Sequence, residues 1–170
     1  MKHEPGCGHD HDHDDDQHEC SAEPVSDTGT ELFSGSNVQF RYPQGWEVQE
    51  EANEEQTTIT VQSPGTAFWT LSLFEDRPDA DEILASVMSA YEELYEELDV
   101  YELDVMVLGA AAVAREFDFV CLDLVSSVSL MIFQTAKRTA MVLFQGEDRE
   151  LEKTRPVMEA MTRSLVCDVE

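Results

Sequence analysis

The sequence predicts an α+β domain: an antiparallel β-sheet flanked by helices, an α/β/α sandwich in the order ββββαββββα, behind a disordered, acidic, His-rich N-terminal tail. Three observations carry that expectation. Runs such as "VQFRY" (38–42) and "TTITVQS" (57–63) alternate apolar and polar residues with the period of a half-buried strand. One segment after Pro78 repeats its apolar residues at spacings of three and four, as a helix with one buried stripe does. The connections between the alternating runs are short, which suits antiparallel neighbours and not the long crossovers of a parallel βαβ sheet.

Taken in order, residues 1–31 hold ten acidic side chains, five histidines, two cysteines and no aromatic residue. Such a segment has almost nothing to bury and is expected to stay disordered, leaving 32–170 as the folded domain. In the first strand Val38, Phe40 and Tyr42 alternate with Gln39 and Arg41; Pro43 to Gly45 turns the chain. Trp46 and Val48 then alternate with Glu47 and Gln49 in a second strand. "TTITVQS" and "AFWTLSLFED" form a hairpin over 57–75, so four strands precede the first helix.

That helix starts after Pro78, with Asp79 as N-cap and Glu82 placed to complete a capping box. Its stripe is Ile83, Leu84, Val87, Tyr91, Leu94, Tyr95 and Leu98. Four further strands are expected at about 100–108, 111–124, 126–136 and 139–146. In the second of them Phe117, Phe119 and Cys121 share one face and Glu116 and Asp118 the other. "AKRTA" closes the last hairpin. The chain ends in a helical segment with Leu151, Met158, Met161 and Leu165 on one side, and Thr154 with Pro156 signals a break or fresh start within it.

A chain of 170 residues with 42% apolar composition is long enough for one core and a tail. The charge is the unusual feature, 37 acidic against 10 basic residues for a formal net of −27. That field repels nucleic acid and anionic membrane surfaces, and it favours cations, basic proteins or plain solubility. Scarce lysine in an acid-rich surface also resembles adaptation to high salt, where screening relieves self-repulsion. The opening "MKHEPGCGHD" has no apolar run, so neither a secretory signal nor a membrane span is expected there. A cytoplasmic protein with reduced thiols at Cys7, Cys20, Cys121 and Cys167 follows.

The segment "FRYPQGWEV" (Phe40 to Val48), the long helix after the fourth strand, and the closing hairpin and helix ending in "MTRSL" resemble the PsbP-like fold. That fold is shared by the Ran-binding Mog proteins and the bacterial DcrB-like proteins, and the resemblance spans about residues 32–166. The motif has physical sense: Pro43 fixes φ and ends a strand, Gly45 permits a tight reversal, and Trp46 covers the edge of the core. The resemblance implies a binding scaffold and no shared catalytic mechanism. Its members are associated with a small GTPase, the photosynthetic oxygen-evolving complex or the bacterial envelope. No partner-binding residue carries over.

The stretch "CGHDHDHDDDQHEC" is the strongest chemical signal. In an extended chain His9, His11 and His13 share one face, and Cys7, His18 and Cys20 can complete a tetrahedral or square-planar set for zinc, nickel or copper. No C-x-x-C spacing is present, and an unfolded ligand set must be ordered as it binds. An EF-hand reading of Asp12, Asp14, Asp16 and Glu23 fails at Gln17, where that loop needs glycine. Beyond the tail there is no histidine to activate Cys121, and no P-loop, GxGxxG or GxSxG. Cys121 reads as a core thiol, Trp46 and Trp69 as core aromatics, and the glutamates of "YEELYEELD" as a solvated face or a docking face for a basic protein.

The sequence thus points first to a non-enzymatic binding or assembly module with a protein partner, basic in character. A metal-handling protein that stores or delivers zinc, nickel or copper through its tail is the alternative. An enzyme with a carboxylate-lined pocket comes third.

Overall fold

A computed structural model of the chain describes residues 29–170. Within them run β1 (Thr30–Gly35), β2 (Val38–Pro43), β3 (Glu47–Ala52), β4 (Gln56–Gln62) and β5 (Phe68–Phe74), then helix α1 (Ala80–Leu94). β6 (Asp99–Val107), β7 (Ala110–Cys121), β8 (Leu124–Gln134) and β9 (Thr139–Glu147) follow, and then helix α2 (Asp148–Arg163) and a short β10 (Val166–Cys167). Seven strands make one antiparallel sheet in the order β3-β4-β5-β9-β8-β7-β6, and β1-β2-β10 make a second, smaller sheet. The α+β class and the antiparallel sheet between helices are as the sequence predicts.

Period-2 alternation separates two cores on the two faces of the large sheet. On one face Ile59, Val61, Trp69, Leu71 and Leu73 meet α2 through Leu151, Met158 and Met161, all buried. Phe40 of β2 closes this layer, its ring 4.8 Å from that of Trp69. On the other face Phe117, Phe119, Val128, Leu130 and Ile132 pack against Ile83, Leu84, Val87 and Tyr91 of α1. Each fully buried side chain of this size contributes roughly 1.5–3 kcal/mol and the partly buried Leu84, Val87 and Tyr91 of α1 less, and these stripes are the main hold on both helices.

Four local differences from the sequence expectation have physical causes. Five strands precede α1, not four, because Ser36 and Asn37 adopt positive φ (47° and 61°) and fold β1 back onto β2. β1 therefore takes in Thr30 and Glu31, which composition assigned to the tail. Asp79 does cap α1, accepting from the Asp81 N–H, but the helix stops at Leu94. Its last turn holds Glu92 and Glu93 and no basic residue, and a further turn would set Glu96 and Glu97 as well against the negative end of the helix dipole. Tyr95 turns extended (φ −130°, ψ 135°) and stacks on Phe119 instead.

Ending there removes the like-charge pairs Glu92–Glu96 and Glu93–Glu97 that a longer helix would create. It also drops Leu94 from the stripe, leaving it 74% exposed. In α2 the chain passes through Pro156 without a break. Glu152, whose carbonyl loses its intrahelical donor, and Pro156 both lie on the exposed side of the helix, where the loss costs least. Finally, β10 adds a strand after α2, antiparallel to β2.

Candidate docking groove

α2 covers the middle of its sheet face and leaves the β6–β7 wing open. Between the two lies a groove of about 400 Å³. Its floor is Ser129 and Met131 of β8 with Phe144 of β9, and one wall is Leu103, Val105 and Val107 of β6. Opposite Val105 and Leu103, β7 contributes only the small Ala112 and Ala114 to this face, so little side-chain volume fills the sheet there. Glu159, Thr162 and Arg163 from the end of α2 form the other wall. Met106 and Leu108 reach in from the hairpin tip, Met106 being 66% exposed.

The groove is apolar at its base and charged at its ends. Glu116 stands at one end, paired with Arg155 at 2.6 Å, and the same guanidinium lies over the Phe144 ring at 5.5 Å. A cation–π contact and a charge-assisted hydrogen bond thus hold Arg155 beside the groove. The helix wall is fixed from beneath: Trp69 Nε1 donates to Thr162 Oγ1 at 3.0 Å, and that hydroxyl donates to the Met158 carbonyl.

A second carboxylate fixes the start of α2. Glu150 accepts from the Thr66 hydroxyl and N–H, the Ala67 N–H and the Ser63 hydroxyl, which pins the β4–β5 loop to the helix. Burial pushes its pKa upward, but these hydrogen bonds outweigh burial and leave it below its ordinary value. Behind the other core, burial and the neighbouring Tyr95 push Tyr91 up to about 12, with its hydroxyl donating to Gln145. Burial, with Asp168, likewise pushes Cys167 up to about 11. Both groups hold their protons at neutral pH and serve packing.

The candidate ligands Cys7, His9, His11, His13, His18 and Cys20 lie outside the described residues. Among the described residues no three His, Cys, Asp or Glu side chains gather as a metal site would require. Cys121 is a free, half-buried thiol against the α1 core, on the face it shares with Phe117 and Phe119. Trp69 is fully buried, Trp46 covers the edge of the same core, and Gly45 turns with φ 87°. Sequence reasoning missed the groove. Its signal is "VYELDVMVLGAAAVA", where apolar residues at both phases of the alternation run into small alanines.

No family model matches this sequence. No curated protein matches it either. Solved structures do match. The cyanobacterial PsbP, CyanoP, of Synechocystis sp. PCC 6803 superposes with a TM-score of 0.55 at 12% identity over 86% of this chain and 97% of that one. The Ran-binding protein Mog1p of Saccharomyces cerevisiae gives 0.55 at 11% identity over 84% and 97%. A protein of unknown function from Pseudomonas aeruginosa gives 0.51 at 14% over 81% and 96%. The architecture is therefore an α+β sandwich of known type. More particularly, this chain has the PsbP- and Mog1p-like fold, and at such identities the likeness is one of fold.

Proposed function

We propose that this domain is a non-enzymatic binding module that docks a protein partner in the groove between α2 and the β6–β7 wing. The observation that carries the reading is an open apolar groove of about 400 Å³ in a chain of net charge −27. An apolar floor rewards burial of a partner's side chain, and the surrounding acidic field selects one flanked by lysine or arginine. Mog1p, of the same fold, is a Ran-binding protein, which supports a protein as the class of partner. The free thiols Cys121 and Cys167 fit a reducing, cytoplasmic setting. Selection of displayed peptides on the full chain tests this. Recovered sequences should combine apolar and basic residues and bind at least tenfold more weakly to a Met106→Asn, Leu108→Asn double variant. Acidic or unrelated sequences, or binding indifferent to that variant, would refute it.

A second reading rests on a separate observation, that all five histidines of the chain fall within 3–18 beside Cys7 and Cys20. We propose that this stretch binds zinc, nickel or copper through Cys7, His9, His11, His13, His18 and Cys20. Calorimetry on the full chain should show micromolar zinc or nickel binding that is lost when residues 1–23 are removed. Equal binding without them would sink it.

A further inference from the structure

Resting on the docking reading above, we propose that the partner enters as an added β-strand along the free edge of β6, with lysine or arginine at alternate positions. β6 ends the large sheet, and among the described residues nothing pairs with its outer side. It is nine residues long, and each is matched one to one with β7 from Asp99↔Asp118 to Val107↔Ala110, so no bulge twists the edge away. β6 contains no proline. A long, regular edge of this kind is a template for another strand.

The two faces of β6 define what that strand must carry. Leu103, Val105 and Val107 face the groove, so apolar residues of an added strand on that side would extend the groove wall. Glu102 and Asp104 face the other side. Arg115 of β7 pairs with Glu102 at 3.2 Å, showing the cross-strand arrangement this face favours. Asp104 stands opposite Val113 and has no cationic partner among the described residues.

The same charges argue against the other occupants. A second copy paired antiparallel about Leu103 would set Glu102 directly against the other copy's Asp104, and like charges directly opposite destabilise a strand pair. The chain's own N-terminal stretch is acid-rich and mismatched in the same way. A strand alternating apolar and basic residues satisfies both faces.

The probe is a capped heptapeptide, Val-Lys-Val-Lys-Val-Lys-Val, titrated into the full chain, beside the same peptide N-methylated at one central valine and one central lysine to block both its edges. The parent should bind saturably, slow amide exchange in Asp99–Val107, and lose at least tenfold in affinity on N-methylation and threefold with Asp104→Lys. Equal binding by the methylated peptide that still requires Met106 and Leu108 would overturn strand addition and leave the groove reading standing. Binding indifferent to Met106 and Leu108 would overturn the groove reading too. Pairing of β6 with a second copy, seen as a peptide-independent dimer, would overturn the proposal, as would absence of saturable binding by either peptide.

Discussion

Trp69 at the centre of the sheet donates its indole N–H to Thr162 in the last turn of α2, over 3.0 Å, with both residues buried. The contact sets how far the end of α2 stands from the sheet, and Thr162 lines the groove. Thr162→Val keeps the shape but orphans the indole donor. The expected cost is about 1–3 kcal/mol. Urea denaturation should show a lower midpoint with an unchanged slope, and peptide binding at the groove should weaken alongside it.

Glu150 makes stability pH-dependent in a defined direction. Its pKa in the fold is lowered, so its contribution is full above the unfolded carboxyl pKa and is lost as pH falls through the folded value. Glu150→Gln is expected to cost about 1–3 kcal/mol at pH 7 by setting an amide N–H₂ against donors. That gap between variant and parent should shrink at acid pH, measured by denaturation at both. A gap that widened on acidification would contradict the assignment. Gly65→Ala should act similarly, since a Cβ there runs into the Glu150 carboxylate.

Arg138 ties three distant segments together. Its buried guanidinium donates to the Ser36 carbonyl at 2.9 Å, pairs with Glu75 at 3.3 Å and lies 3.8 Å from Asp168. Asp168 Oδ1 is buried with no hydrogen bond of its own, so the arginine's charge is what compensates it. Arg138→Met should cost about 3–5 kcal/mol, the usual penalty for stranding one member of a buried pair. Proteolysis after 163 should also accelerate, because the C-terminal segment loses its anchor.

Two hairpin tips hold leucine where the backbone disfavours it. Leu108 has φ 51° before Gly109, and Leu122 has φ 51° before Asp123, with Leu122 91% exposed. Asn tolerates this conformation better, so Leu122→Asn is expected to stabilise the fold by about 1 kcal/mol. A rise in thermal midpoint checks it. For Leu108→Asn the same gain should accompany weaker groove binding, which separates the tip's docking role from its fold role.

Much of this fold was legible because its signals are local. Alternation placed β2 to β5, and Asp79 placed the start of α1 within its own turn. The misses came where pairing or solvent decided the outcome. β1 is a short segment with little alternation of its own until Ser36 and Asn37 return it to β2, a turn that sequence reasoning did not place. The end of α1 depended on Tyr95 finding Phe119, which lies across the sheet and 24 positions on in sequence. Pro156 is tolerated because it faces water, which its sequence neighbours do not reveal. The groove was hidden for a similar reason: Leu103 and Val105 alternate as in any half-buried strand, and only the place where α2 stops covering the sheet leaves them at an open wall.

Amide hydrogen exchange on the full chain, with and without a peptide selected for binding, tests the docking account most directly. Exchange should slow in β6, Asp99–Val107, and at the end of α2 around Met158–Arg163, with the opposite edge strand β3 unchanged. Protection confined to β3 or to the face of α1, with β6 exchanging as fast as in the free protein, would contradict it.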